Sequence, residues 1–342
     1  MYIHALLKIS RIGFIRSSIR FSQAFLMPGL LVVLLMQNFA PADLSKQNQI
    51  PPKIAITQGQ NSKESNFKKL WYDGNAEIST YTLLESRYGQ IRNGKRVMVW
   101  VTEPLRLNTL IKPDKKLAES EMIRVLKLND LRKFSTGIYE YSVMTSLFSA
   151  VENKGLLKNN ETVKISFTAQ EWCGQVFDRL INKDSAFTGH IYSYFETDAE
   201  KKYTLPSQNI ETEENLWMRI RELNSVYLLP GNSLELSILP SRWMERKAHG
   251  APQVHKGVIS NEGVSQLNTV LGKIFVKKYV WQLNGQPGKT TVWVEEKYPH
   301  RIVQFTERDG SSGKLLASRR EPYWTQNSTK FDFKRKELGL VE

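Results

Sequence analysis

The residue types that come closest to a catalytic site lie in the segment Gln170-Glu171-Trp172-Cys173-Gly174. Cys173 is the only cysteine of the chain, and a thiol nucleophile needs a nearby base to form its thiolate. His190 lies one predicted strand away and can serve as that base, and Gln170 can donate a hydrogen bond to an oxyanion. A cysteine-dependent hydrolase would therefore use Cys173, His190 and Gln170. The alternative interpretation is that Cys173 is a small buried residue in a tight glycine turn.

Aromatic and methionine side chains give a second candidate chemistry, the binding of an apolar ligand. The segment from Gly137 to Met144 combines a glycine turn with such side chains, and it can form the rim of an apolar pocket. The alternative is the entry of a strand with ordinary aromatic packing. The candidate ligand-binding residues are Trp100, Tyr139, Tyr141, Met144, Trp172, Tyr192 and Tyr194.

Other site chemistries have little support in the sequence. His249 and His255 share a predicted loop, but no cluster of cysteines or carboxylates joins them, so we predict neither a metal nor another cofactor. Phosphate-binding glycine loops and the nucleophile motif of α/β-hydrolases do not occur. We expect the acidic residues around the first predicted hairpin to form salt bridges with Arg87, Arg92 and Arg96 rather than a glycosidase pair. These acidic residues are Asp73, Glu77, Glu85 and Glu103.

Runs of β-branched and aromatic residues predict the strands that must carry these side chains. Residues 78–84 and 97–103 are two such runs, and Asn93-Gly94 between them is a strong hairpin-turn signal. In the C-terminal third, turn signals recur every ~8–12 residues and include Asn284-Gly285 and Asp309-Gly310, which favours antiparallel strands. We therefore predict a mainly β (α+β) fold, with a large curved antiparallel sheet or half-barrel and one or two packed helices.

The remaining segments predict how the chain is divided. Residues 213–223 have a helical apolar stripe and an acidic start, whereas residues 243–263 are charged and polar and are expected to form an exposed excursion. A polar linker is expected over residues 43–66 and a polar tail over residues 326–342. Between them, residues 67–325 are predicted to form a single β-rich domain.

The first 42 residues have the pattern of a secretory signal. Basic residues precede an apolar run at residues 24–36, and Ala40-Pro41-Ala42 matches a signal-peptidase site. The apolar run is shorter than the ~20 residues that cross a bilayer. We therefore expect cleavage near Asp43 and an exported protein of the periplasm or envelope. The alternative is a leader that is retained as an N-terminal membrane anchor.

Five motifs follow one another between residues 67 and 230, and together they resemble one family. They are Trp71-Tyr72-Asp73-Gly74-Asn75-Ala76-Glu77, Arg87-Tyr88-Gly89, Val101-Thr102-Glu103-Pro104, Thr136-Gly137-Ile138-Tyr139 and Gln170-Glu171-Trp172-Cys173-Gly174. The resemblance is to a group of uncharacterised exported bacterial proteins that often carry the label septum formation inhibitor Maf. Maf nucleotide pyrophosphatases are α/β enzymes of the cytoplasm, and their motifs are missing here. The resemblance therefore implies no catalytic residues.

The predicted C-terminal meander, with Val292-Trp293-Val294 and the segment 298–303, is similar to periplasmic lipoprotein-carrier domains. Those domains wrap an antiparallel sheet around a helix and hold acyl chains on the concave face. This similarity implies an architecture rather than a function.

The chain is strongly basic, with a formal net charge of +14 at neutral pH. This charge favours anionic membrane surfaces or envelope polymers as partners, and export argues against nucleic acid. Export, strands that are apolar on both faces and many aromatic residues favour a non-enzymatic envelope protein that binds a lipid or another apolar ligand in the concavity of its sheet. One alternative is an envelope interaction or structural module that uses the basic surface. The other is the cysteine-dependent hydrolase described above.

Overall fold

The computed structural model describes residues 66–198, 200–250 and 252–341. The predicted leader and nearly all of the predicted linker lie outside these residues. Within them, the fold is built on one sheet of fifteen strands, and no helix is both long and apolar enough to cross a membrane. The mainly β class predicted from the sequence is therefore confirmed.

Three short α-helices accompany the strands, and a helical turn over residues 66–71 precedes the first strand. The helices are α1 (Glu213–Arg219), α2 (Arg242–Ala248) and α3 (Lys334–Glu337). The strands are β1 (Ala76–Arg87), β2 (Gln90–Arg106), β3 (Met122–Thr136), β4 (Tyr139–Ala150), β5 (Thr162–Glu171), β6 (Gly174–Lys183), β7 (Ala186–Ser193), β8 (Lys201–Pro206), β9 (Ile210–Thr212), β10 (Ser233–Leu239), β11 (His255–Thr269), β12 (Gly272–Leu283), β13 (Thr290–Glu295), β14 (Ile302–Thr306) and β15 (Ser312–Glu321).

The sheet is a nearly closed, barrel-like structure. Strands β8 to β1 pair in reverse chain order, β1 then pairs with β15, and the order continues from β15 down to β9. Each pairing is antiparallel except that of β9 with β10, which is parallel. The first and last strands of this order, β8 and β9, do not pair within the described residues, so the sheet leaves a seam between its two ends.

Side chains alternate between the inside and the outside of this sheet, and the inside is filled. On β4, for example, Tyr141, Val143 and Leu147 are buried, whereas Met144 is exposed. Helices α1 and α2 lie inside, and their apolar residues belong to the same core cluster as those of the strands. Trp217 of α1 packs edge-to-face on Trp281 and Phe305, and Trp243 of α2 lies beside Phe134 and Tyr141. The sheet therefore encloses two short helices rather than an empty concavity.

The first hairpin turn differs from the sequence prediction. The turn lies at Tyr88-Gly89, where both residues have positive φ (54° and 70°), and Asn93-Gly94 lies within β2. Gly94 pairs with Phe134 of β3, and a Cβ atom at Gly94 would come 2.3 Å from the carbonyl oxygen of Lys133. Glycine is therefore needed at this position for close packing between strands, not for a turn. The predicted turns at Asn284-Gly285 and Asp309-Gly310 are observed.

The expected exposed excursion at residues 243–263 is wrong. The segment contains most of α2 and the first part of β11, and Trp243 is 3% exposed. The error arises because Arg242 and Arg246 are charged but buried. Helix α1 also ends at Arg219, earlier than predicted, and the polar tail forms α3, where Lys334 pairs with Glu321 at 2.7 Å.

Buried ion pairs connect the strands to one another, and Lys247 joins α2 to Glu85 of β1. Arg132 of β3 donates to both carboxylate oxygens of Glu307 (2.7 and 2.6 Å) and to Glu85, and Arg96 forms a two-bond pair with Asp130. The acidic residues of the first hairpin do form salt bridges, but the predicted partners were wrong. Asp73 pairs with Arg320, Glu77 with Arg221, Glu85 with Arg132 and Lys247, and Glu103 with Lys112 and Lys127.

Candidate functional site

Two large cavities lie where the β8–β9 connection at the seam of the sheet meets the ends of neighbouring strands. One has a volume of about 770 Å³ and the other about 490 Å³, and both are open to solvent. They adjoin, because Lys158, Glu161, Asn182, Ser207 and Asn209 line both. We call this combined depression the seam groove. Its volume is in the range of ligand-binding pockets, which hold ~300–1,000 Å³.

Polar side chains dominate the lining of the seam groove. Five basic and four acidic residues line it, so its charge is nearly balanced. Carboxamide side chains are abundant, and each offers both a donor and an acceptor. The carboxamides are Asn159, Asn160, Asn182, Asn209, Asn284 and Gln208.

The groove is positioned by the contact between the start of β5 and the end of β9. The Thr162 and Thr212 hydroxyls lie 2.7 Å apart and are buried, which joins the end of β9 to the start of β5 at this point. Asn182 is 6% exposed and donates from its amide nitrogen to the Thr162 carbonyl oxygen at 3.0 Å. Its amide oxygen accepts no hydrogen bond within the described residues, although it lines both cavities. This oxygen is available to a ligand.

Two carboxylates of the groove, Glu161 and Glu211, differ in their surroundings. Glu211 accepts hydrogen bonds from the Thr212 backbone (3.2 Å) and the Asn215 amide (2.8 Å), and its carboxylate lies 3.8 Å from Arg219. Burial raises the pKa of Glu211, and Arg219 opposes that effect. Glu161 is exposed and caps the Lys158 backbone nitrogen at 2.9 Å. The pair can anchor polar ligand groups, with one carboxylate inside and the other at the surface.

The three candidate catalytic residues do not come together. Cys173 is exposed in the β5–β6 turn, where the neighbouring Glu171 carboxylate raises the pKa of its thiol. His190 lies on the outer face of β7, opposite Arg179 and in ring contact with Tyr192. The register places His190 opposite Arg179, six residues along the chain from Cys173, which corresponds to roughly 15–20 Å. At this distance the Cys173 thiol and the His190 imidazole form no pair. Gln170 is exposed on β5.

The candidate ligand-binding residues lie on three different surfaces. Trp100 and Tyr141 are buried in the core, and Tyr139 packs at its edge. Met144 and Tyr192 lie on the outer face of the sheet, whereas Trp172 and Tyr194 are exposed where the β5–β6 and β7–β8 connections begin. These seven residues therefore do not line a common pocket, and none of them lines the seam groove.

The cavities that reach the interior are small. One is lined by Arg132, Glu307 and Trp243, and the other by Asp178, Arg242 and Glu245. Each has a volume of about 30 Å³, which is the size of a water molecule. An acyl chain therefore finds no space at either place in this conformation.

One interior cluster has more carboxylates than its central guanidinium can neutralise. Arg242 of α2 lies 3.2 Å from Glu245, 3.9 Å from Asp178 and 4.0 Å from Glu214. One oxygen of each carboxylate has no hydrogen-bond partner within the described residues. Burial raises the pKa of Glu214 and of Glu245 to about 7, although Arg242 partly offsets it. Lys201 and Arg246 line the same cavity, and the Tyr203 hydroxyl accepts a hydrogen bond from Arg242 at 3.0 Å.

We expect the wild-type protein to lose stability as the pH rises from about 4.5 to about 7. Carboxyl groups with a raised pKa in the folded state favour folding while protonated, and this contribution, on the order of 1–3 kcal/mol, disappears when they ionise. A Glu245→Gln variant mimics the protonated form and should lose less stability over this range. Urea unfolding at pH 5 and pH 8 measures both proteins. If the free energy of unfolding depended equally on pH in the two proteins, the raised pKa of Glu245 would be contradicted.

The sequence analysis missed the seam groove. Its residues come from eight separate segments between Leu107 and Asn284, and they meet because β9 pairs in parallel with β10 and contacts the start of β5. The local signals were weak. Asn159-Asn160 and Asn209 were visible as turn residues, and Asn160 and Asn209 do adopt positive φ (65° and 60°).

Comparisons with known proteins assign this chain to no family. No family model matches it, and no curated protein matches it. This chain is similar in structure to a beta-barrel-like protein of a domain of unknown function, DUF1849, from Brucella abortus, which is known from a crystal structure. The two chains share 10% sequence identity and align with a TM-score of 0.41, over 72% of this chain and 96% of the other.

Proposed function

We propose that this chain is a non-enzymatic binding protein of the cell envelope that holds a hydroxyl-rich ligand, such as an oligosaccharide segment, in the seam groove. The observation that carries this proposal is the combination of volume and lining. The groove is large, open and rich in carboxamides, with nearly balanced charge. Hydroxyl groups both donate and accept hydrogen bonds, and carboxamides match them in both roles.

The arrangement of the groove supports a polar rather than an apolar ligand. In the larger cavity, the partly exposed apolar side chains Ile210 and Leu236 are interspersed among polar ones, so they offer contact to the faces of sugar rings and not a continuous surface for an acyl chain. The interior that the sequence analysis assigned to an apolar ligand is occupied by α1, α2 and their ion pairs. A lipid in the sheet concavity would require these helices to move.

The open ends of the groove support binding to a polymer. Both cavities are open to solvent, so a chain can lie in the groove and continue beyond it. Lys158, Lys183 and Lys256 line the groove without an ion-pair partner among the described residues, and they can contact acidic substituents on such a polymer. The expected export of the protein would place it with envelope polysaccharides of this kind.

We expect a Ser207→Trp variant to bind oligosaccharide at least about tenfold more weakly than the wild-type protein. Ser207 is partly exposed and lines both parts of the groove, so a tryptophan there fills the space between them. Isothermal titration with soluble peptidoglycan glycan strands and with envelope polysaccharide fragments measures the affinity. Ser135→Trp, on the outer face of β3, is the matched control and should bind as the wild-type protein does.

Two results would overturn this proposal. The first is no binding of either glycan by the wild-type protein, and the second is equal affinity of the Ser207→Trp variant and the wild type. Native mass spectrometry of protein from the producing cell, before and after organic extraction, tests the apolar alternative. An extra mass that extraction removes would favour a lipid ligand.

A further inference from the structure

The turns at one end of strands β1 to β8 lie on a common rim. The strand register places four residues on one line across the sheet. They are Gly94 of β2, Phe134 of β3, Tyr141 of β4 and, by way of β5, Gly174 of β6. Beyond this line, β2 continues for four residues to its turn, β3 continues for two, and β6 begins at its turn. Each hairpin is therefore two residues shorter than the preceding one.

This regular stagger determines how the turns are arranged in space. Two residues correspond to ~6.6 Å along a strand, and two strands correspond to ~9.6 Å across the sheet. The line of turns is thus inclined by ~35° to the perpendicular of the strands. Strands of a barrel are tilted by ~35–45° from its axis, so the turns come to the same height and lie in one plane.

Each connection on this plane exposes a large apolar or aromatic side chain. They are Tyr88, Ile138, Trp172 and Tyr194, which are 59%, 86%, 73% and 74% exposed. We call these four residues the hairpin rim. Neighbouring members are separated by ~12 Å according to the stagger above. They therefore form a planar row and not a groove.

Contacts beneath three of the rim residues hold their side chains in place. The Tyr88 hydroxyl lies 2.8 Å from the Tyr141 hydroxyl, and the Arg87 guanidinium covers the Tyr88 ring at 4.2 Å. The Trp172 ring lies 6.4 Å from that of Tyr139. Tyr194 covers Gly174 so closely that a Cβ atom there would come within 2.6 Å of its ring. The rim side chains are thus oriented before any partner binds.

We propose that the hairpin rim docks on the surface of a zwitterionic phospholipid bilayer. Tryptophan and tyrosine prefer the headgroup region of membranes, and an isoleucine at the tip of a turn can reach the acyl boundary. A planar row of separate apolar tips matches a flat, deformable surface, because each tip inserts independently. A protein partner would instead need a continuous contact area.

The charge of the rim selects the type of lipid. The exposed charged residues around the rim are of both signs and nearly balanced, namely Lys133, Glu140, Glu196, Glu200 and Lys202. A balanced surface complements headgroups that carry a phosphate and an amine. It offers no excess positive charge to attract an anionic bilayer, although the whole chain is basic. This surface is separate from the seam groove, and the proposal does not depend on the groove's ligand.

The chain provides its own probe for this interaction. Cys173 is its single cysteine, it is exposed, and it follows Trp172 on the rim. An environment-sensitive fluorophore on Cys173 of the full chain reports only the surroundings of the rim, so a leader that enters the vesicle elsewhere gives no signal. With vesicles of phosphatidylcholine and phosphatidylethanolamine, we expect a blue shift of the emission that persists at high salt.

Paired variants distinguish the rim from general surface hydrophobicity. An Ile138→Ser/Trp172→Ser double variant should weaken the apparent vesicle affinity of the labelled protein by roughly tenfold or more, because binding scales with inserted apolar area. Ile111→Ser/Val270→Ser is the matched control, since these residues are 60% and 73% exposed in connections at the opposite ends of the strands and line neither part of the seam groove. The control should retain the blue shift and the affinity.

Three results would overturn the proposal. The first is no spectral change of the labelled wild-type protein on these vesicles. The second is an equal loss of affinity in the control variant. The third is a change that depends on protein concentration without vesicles, which would assign the rim to contacts between copies of this chain. None of these results bears on glycan binding in the seam groove, because Ser207 and the rim are tested separately.

Discussion

Replacing Glu307 by glutamine is expected to lower the free energy of unfolding by about 3–5 kcal/mol. Glu307 is 5% exposed and accepts two hydrogen bonds from Arg132 and lies 3.4 Å from Arg96. Both guanidinium groups are buried, and Arg96 also stacks on Trp217 and Phe305. Removing the carboxylate takes away two hydrogen bonds of the buried Arg132 and leaves it only Glu85 and Asp130, which also pair with Lys247 and Arg96. Such a loss costs much more than the pair itself contributes.

The pH dependence of stability gives this prediction a second test. Burial alone would raise the pKa of Glu307, but the charges of Arg132 and Arg96 outweigh it and lower the pKa to about 2. A carboxyl group with a lowered pKa in the folded state stabilises the fold above its unfolded pKa of ~4.5, and this contribution is lost as the pH falls toward 2. The Glu307→Gln variant should lack this part of the acid dependence.

Urea unfolding at pH 7 and at several acid pH values measures both effects. Glu321→Gln is the matched control, because Glu321 also pairs with a cation, Lys334 at 2.7 Å, but lies near the surface. It should lose less than about 1 kcal/mol. A loss for Glu307→Gln as small as that of the control would show that this interior ion-pair cluster contributes no more to stability than an ion pair near the surface.

Strands could be predicted from the sequence because apolar alternation is a local property. The runs at residues 78–84 and 97–103 lie within β1 and β2, and the two C-terminal glycine turns are where the pattern places them. Asn93-Gly94 misled the prediction, since glycine serves close packing and turns equally well. Only the neighbouring strand, with Phe134 opposite Gly94, decides between the two.

The helices inside the barrel could not be predicted in the same way. A pattern analysis assigns charged residues to the surface, but Arg242 and Arg246 of α2 are buried. Their burial depends on partners far away in the chain, such as Asp178 for Arg242. The same holds for the seam groove, where Thr162 of β5 contacts Thr212 of β9, fifty residues away in the chain. Local periodicity contains no information about such contacts between distant segments.

Trp100 and Trp172 were both predicted to contact a ligand, and the structure gives them opposite surroundings. Trp100 is fully buried, and the Arg221 guanidinium lies 4.4 Å above its ring. Arg221 in turn donates two hydrogen bonds to Glu77, at 2.9 and 2.8 Å. Trp172 is 73% exposed at the β5–β6 turn. The two tryptophans therefore test whether an aromatic residue serves the core or a surface.

We expect Trp100→Ala to lower the free energy of unfolding by about 3–5 kcal/mol, because it removes a large buried ring and leaves a cavity beside the Arg221–Glu77 pair. Trp172→Ala should change it by less than about 0.5 kcal/mol, since its ring is mostly in water already. Urea unfolding of the two variants, followed by far-UV circular dichroism, measures both values. If Trp100→Ala were as mild as Trp172→Ala, the tryptophan would not be part of the packed core. Because Trp172→Ala leaves the fold intact, any effect of that variant on vesicle binding can be attributed to the rim.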